Sequence, residues 1–134
     1  MPPEYPEPLP GSLPLSDAPD EHIEMMDLLS YIYLRHGFPD KAAVLLAARQ
    51  ELEPDDPKTL LSLALAQVRS GKPDRALVTL EQLAMVGVVD ASFHLVRAQA
   101  FHALGQKSES ATAMRAYVAL RASETEARKL QQSV

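Results

Sequence analysis

The chain of 134 residues contains no cysteine and no tryptophan, and aromatic residues make up only 5% of it. Without cysteine there is no disulfide framework, no thiolate zinc site and no cysteine nucleophile. With so few aromatics, the core must be built from Leu, Ala and Val. Basic residues are also short: 13 Lys and Arg stand against 18 Asp and Glu, a net charge of −5. Such a chain, with no basic cluster, is a poor partner for nucleic acid or anionic lipid. No apolar run approaches the ~20 residues that span a bilayer. The opening MPPEYPEPLP has neither a basic n-region nor an apolar h-region, so it does not read as a secretory signal, and a cytoplasmic location is the expectation. The nucleotide-binding patterns G-x-x-x-x-G-K-[ST] and G-x-G-x-x-G are missing, as is the nucleophile elbow G-x-S-x-G.

Proline divides the chain. Pro2, Pro3, Pro6, Pro8, Pro10, Pro14 and Pro19 crowd its beginning. Each lacks an N–H and restricts its predecessor, so residues 1–20 are predicted to form an extended arm rather than a helix. Tyr5, Leu9, Leu13 and Leu15 are the apolar residues it could lay on a groove or a partner.

From residue 21 to 134 the texture is helical and periodic. Gly37-Phe38-Pro39-Asp40-Lys41-Ala42 is matched 34 residues later by Gly71-Lys72-Pro73-Asp74-Arg75-Ala76, and 34 further on by Gly105. A 34-residue period with apolar residues at helical spacing is the signature of the tetratricopeptide (TPR) helix–turn–helix. Gly ends the first helix of each unit in a left-handed turn. Pro39 and Pro73 fit the first turn of the second helix, where Asp40 and Asp74 suit the helix dipole. Asp56-Pro57 reads as an N-cap and first position. The predicted fold is therefore all-α: three TPR units at about 23–56, 57–90 and 91–124, stacked as a short right-handed solenoid. The third unit departs most, with Lys107 in the place of proline and Ser110 in the place of alanine; Gly87 stands as the helix stop where Val88 replaces a proline. Ser123-Glu124-Thr125-Glu126 reads as a capping box. It either starts a short C-terminal capping helix or lies within a last helix that runs on.

Catalytic chemistry finds little support. His94 and His102 are eight residues apart, which is not a chelating pair, and the carboxylates Glu51, Glu53, Asp55 and Asp56 are explained by capping and solubility. No metal, cofactor or catalytic residue is expected. By the TPR pattern, positions 2, 5, 9, 12 and 13 of each unit line a concave groove. Tyr31, Leu34, Leu61, Leu65, Val68 and Leu95 then form an apolar floor, with Arg35, Arg69, Gln99 and His102 at its margins. Such a groove suits an amphipathic helix or an extended apolar peptide. TPR domains that clamp the acidic C-termini of heat-shock chaperones carry Lys, Arg and Asn at certain groove positions. Here Asp27, Tyr31, Ser92 and Val96 occupy those positions, so that clamp is missing.

Between Met25 and Ser123 the chain resembles the small TPR chaperones of bacterial type III secretion, the YscY-like group in particular. The resemblance rests on Leu28-Leu29-Ser30-Tyr31-Ile32-Tyr33-Leu34-Arg35-His36-Gly37, Ala42-Ala43-Val44-Leu45-Leu46, Glu53-Pro54 and Ala113-Met114-Arg115-Ala116-Tyr117-Val118-Ala119-Leu120. The proline-rich arm departs from the short N-termini of that group. The resemblance implies a non-enzymatic chaperone that keeps a small secreted substrate soluble by holding an amphipathic segment of it. It further implies presentation of that substrate to an export-gate protein, and self-association through the groove when cargo is missing. A TPR adaptor or scaffold in another bacterial assembly is the alternative.

Overall fold

The computed structural model describes residues 19–133; the expectation for the proline-rich arm lies outside them except at Pro19 and Asp20, which open the first helix instead. Six helices follow one another, with no strand among the described residues: α1 (Pro19–Arg35), α2 (Pro39–Leu52), α3 (Pro57–Arg69), α4 (Pro73–Val86), α5 (Ala91–Ala103) and α6 (Lys107–Gln132). Helices α2, α4 and α6 begin at 34-residue intervals, as do α3 and α5. Helix α1 starts four residues before the boundary predicted for its unit.

The turns explain the period. Gly37, Gly71 and Gly105 adopt φ of +81°, +80° and +75°. This left-handed geometry lets the following N–H reach back across the helix end. Phe38 N donates to Tyr33 O at 2.8 Å, Lys72 N to Gln67 O at 2.8 Å, and Gln106 N to Phe101 O at 2.9 Å. Gly87 ends α4 in the same backbone region, with φ +96°. Asp56 caps α3 by accepting from Thr59 N at 3.0 Å. Asp90 does the same for α5 through Phe93 N, also at 3.0 Å.

Successive helices pack on one another, and α3 also reaches α5. Ala42 and Ala76 are fully buried at equivalent turns of α2 and α4, where a larger side chain would hold the helices apart. Ser110 takes the equivalent place in α6, and its hydroxyl donates to Ala98 O at 2.9 Å. Helix α3 serves two clusters. Leu63 and Ala66 meet Ala42 and Leu46 of α2. Leu60 and Ala64 meet Ala76, Leu80 and Leu83 of α4 together with Phe93, Val96 and Ala100 of α5. Gln67, which interrupts the apolar pattern of α3, accepts a 2.7 Å hydrogen bond from the buried Thr79 hydroxyl. Residues 123–132 form no separate helix; they continue α6. The Glu124 carboxylate turns back to α5, accepting from Ala91 N at 3.0 Å.

Candidate functional site

The residues predicted to line one groove fall into two clefts with a packed stretch between them. The first cleft, of about 400 Å³, lies among α1, α2 and α3 and takes in Tyr31 and Leu34. Most of the residues that line it carry polar or charged groups. Arg49 enters it from α2 with a side chain only 7% exposed. Arg49 Nε donates to Asp27 Oδ1 at 2.9 Å and Nη2 to Asp27 Oδ2 at 3.4 Å. Glu53 lies 3.6 Å from Nη1 and Asp56 3.9 Å from Nη2. Burial disfavours the guanidinium charge, but the hydrogen bond and nearby charge of Asp27, helped by Asp56 and Glu53, outweigh it and hold its pKa above the ordinary arginine value. Arg49 Nη1 and the hydroxyl of Ser30 are buried without hydrogen-bond partners among the described residues. The predicted Arg35 lies at the exposed end of α1 and donates to the Tyr31 hydroxyl at 2.8 Å.

The second cleft, of about 500 Å³, lies among α3, α5 and α6. It gathers the predicted Val68, Arg69, Gln99 and His102 with Ala98, Ala103, Ser110 and Met114. Its floor is aliphatic, from Val68, Ala98 and the half-exposed Met114. Arg69, Gln99 and His102 supply polar groups at its edges. An apolar slot with a few polar groups at its rim suits the side chains of a bound peptide better than a compact charged metabolite.

Between the clefts, Leu61, Leu65 and Leu95 are only partly exposed. Leu61, Leu65 and Val68 pack against the larger core cluster. Their apolar surface is shared between the fold and the groove predicted over it, because α3 lies against α5 as well as α4.

Sequence reasoning missed two contributors, Arg49 and Met114, since the groove was assigned only to the first helices of the units. The signal for Arg49 is its register: 34 residues on stands the buried Leu83, so Arg49 puts a charge where the next unit has core. His94 is half-buried, and the ring of Phe93 meets it edge-on at 5.1 Å. Burial first, then the charge of Arg97, pushes its pKa down, with Asp90 opposing. Among the described residues no group of His, Asp and Glu could hold a metal ion. No helix there is long and apolar enough to cross a membrane.

This class of fold, an all-helical chain of successive helix pairs, has a counterpart among solved structures. The type III secretion translocator chaperone SycD of Yersinia enterocolitica, in an alternative dimer, aligns with a TM-score of 0.70 over 85% of this chain and 86% of that one, at 19% identity. At that identity the likeness is one of fold. No protein-family model matches the chain, and no curated protein matches it.

Proposed function

We propose that the protein is a non-enzymatic chaperone of the type III secretion class, acting in the cytoplasm. In this reading the six helices are three TPR units of a right-handed solenoid, and an amphipathic segment of a small export substrate lies in the concave groove. The carrying observation is the cleft among α3, α5 and α6, where Val68, Ala98 and Met114 offer an apolar floor bordered by Arg69, Gln99 and His102. Shielding the apolar face of a cargo segment there keeps it from aggregating until it is handed on. The fold of SycD, a translocator chaperone, supports the class. The TPR character rests on the 34-residue recurrence of glycine turns and helix starts. Delivery to an export-gate protein and membership of the YscY-like group rest on sequence resemblance alone.

The test is affinity capture from the native host's lysate, read by mass spectrometry, for the wild type, Met114→Glu and a control, Val78→Glu, on an exposed position of α4. A small secreted protein retained by the wild type and the control but lost with Met114→Glu is the expected result. Capture of resident cytoplasmic proteins only, indifferent to Met114→Glu, would favour a TPR adaptor working through another surface. Met114 and Tyr31 are better probes than Leu65, whose contact with the core mixes binding with stability.

A further inference from the structure

The 34-residue register identifies a helix face that is covered in two units and open in the first. Thr59 and Phe93 are 2% and 7% exposed, but their equivalent Met25 is 38% exposed. Val96 is buried at 5% and Ser62 is partly buried, while their equivalent Leu28 is 53% exposed. Ala66 and Ala100 are fully buried, and their equivalent Ile32 is 39% exposed. In α3 and α5 this face packs on the preceding helices α2 and α4. Helix α1 has no preceding helix among the described residues. Met25, Leu28 and Ile32 therefore form an apolar stripe at i, i+3 and i+7 that no helix among the described residues covers.

We propose that the chain's own segment Leu9–Leu13 folds back along α1 and covers this stripe. Residues 1–18 join α1 directly at its start, so the segment is tethered beside the surface. Residues 8–16, Pro-Leu-Pro-Gly-Ser-Leu-Pro-Leu-Ser, carry no charge and contain all three leucines that precede α1. In a polyproline geometry Leu9 and Leu13 stand ~12 Å apart. Met25 and Ile32 stand ~10 Å apart along a helix. Ser16, Asp17 and Ala18 give three residues for the reversal, which brings Leu13 to the level of Met25 and Leu9 to that of Ile32. Glu7 then comes to Arg35 at the far end of the helix, a pairing of opposite charge. A second copy is a weaker occupant: three side chains over ~10 Å fall well short of the ~800 Å² per partner that a stable interface buries. A tethered segment instead acts at a millimolar effective concentration.

The absence of cysteine makes the test direct. The full chain is prepared with two cysteine pairs, Leu13→Cys with Met25→Cys and Leu9→Cys with Ile32→Cys. Two reference pairs join Leu13→Cys to Val78→Cys on α4 and to Met114→Cys in the second cleft. Met25, Ile32, Val78 and Met114 are all exposed, and circular dichroism checks that each variant keeps its helix. Disulfide formation under mild oxidation is followed by intact mass at low micromolar protein. The expected result is an intramolecular bond at monomer mass in both α1 pairs, formed at least about tenfold faster than in either reference pair. Equal rates in all pairs, or fastest closure to Met114→Cys, would overturn the proposal. So would disulfide-linked dimers as the main product of the α1 pairs, which would assign the stripe to a second copy.

Discussion

Arg49 of α2 and Asp27 of α1 share two hydrogen bonds, of 2.9 and 3.4 Å, across the first helix pair. The same guanidinium lies 3.9 Å from Asp56, the residue that caps α3. One buried cation thus ties three helices together at the place where the following unit uses Leu83.

Removing only the carboxylate leaves that cation buried. Asp27→Ala is expected to cost about 1–2 kcal/mol, below the 3–5 kcal/mol for breaking a fully buried pair, because the Asp27 side chain is 48% exposed. Arg49→Leu removes the buried charge and installs the residue of the next unit. It should stay within about 1 kcal/mol of the wild type, since the Asp27 and Glu53 carboxylates it leaves behind are about half exposed and stay solvated, so no charge is stranded in the interior. Urea denaturation followed by circular dichroism compares the two. If Arg49→Leu proved the more damaging, the ion pair would be a net source of stability rather than a tolerated charge.

The period and the turns are legible in the sequence because each has a local chemical cause. Gly37, Gly71 and Gly105 answer a backbone need for positive φ, and Asp56 before Pro57 answers the need for an N-cap. Asp90 performs the same capping for α5 but lies after Val88 and Val89, with no proline to mark it. Arg49 lies in Ala-Ala-Arg-Gln-Glu-Leu, which reads as a solvent-facing stretch until it is set against Leu83. The predicted groove could be written only as a set of helix positions, and the structure distributes those positions over two clefts and the packed stretch between them. Helix α6 brings Met114 to the second cleft, and the packing of α3 on α5 draws Leu61 and Leu65 toward the core. Both effects belong to tertiary packing, which a repeat pattern does not encode.

Ala76 measures how tightly the second unit is closed. Its methyl group is fully buried within the cluster of Leu60, Ala64, Leu80 and Leu83. Ala76→Leu adds three carbon atoms to that space and is expected to destabilise the fold by about 1–3 kcal/mol through overpacking. Thermal denaturation provides the comparison, and an unchanged melting temperature would mean that α3 and α4 can separate at no cost.

Stability should fall on mild acidification through His94. Burial and then Arg97 hold its pKa below the ordinary histidine value, so the unfolded chain takes up the proton first as pH drops. The stabilisation is full above the unfolded value of about 6.5 and is lost as pH falls below it toward the lower folded value. Urea midpoints measured between pH 7.5 and 5 should decline for the wild type and flatten for His94→Gln. Parallel profiles for the two proteins would place the acid sensitivity elsewhere.

Glu124 decides how far α6 is held to the rest of the molecule. Its Oε1 accepts the Ala91 N–H at 3.0 Å. That satisfies a donor at the start of α5 that no intrahelical partner can reach, while Asp90 satisfies the Phe93 N–H nearby. The negative charge also suits the positive end of the α5 dipole. Residues 125–132 continue α6 with every side chain exposed, so Glu124 is the last anchor before the helix runs into solvent. Glu124→Ala is expected to cost about 1 kcal/mol and to speed amide exchange at Ala91 and along 125–132. Glu126→Ala, which removes the same charge two residues on, should leave the Ala91 amide protected. Faster exchange at Ala91 in both variants would make the effect one of general charge, and no change in either would mean that apolar packing alone holds α5 and α6 together.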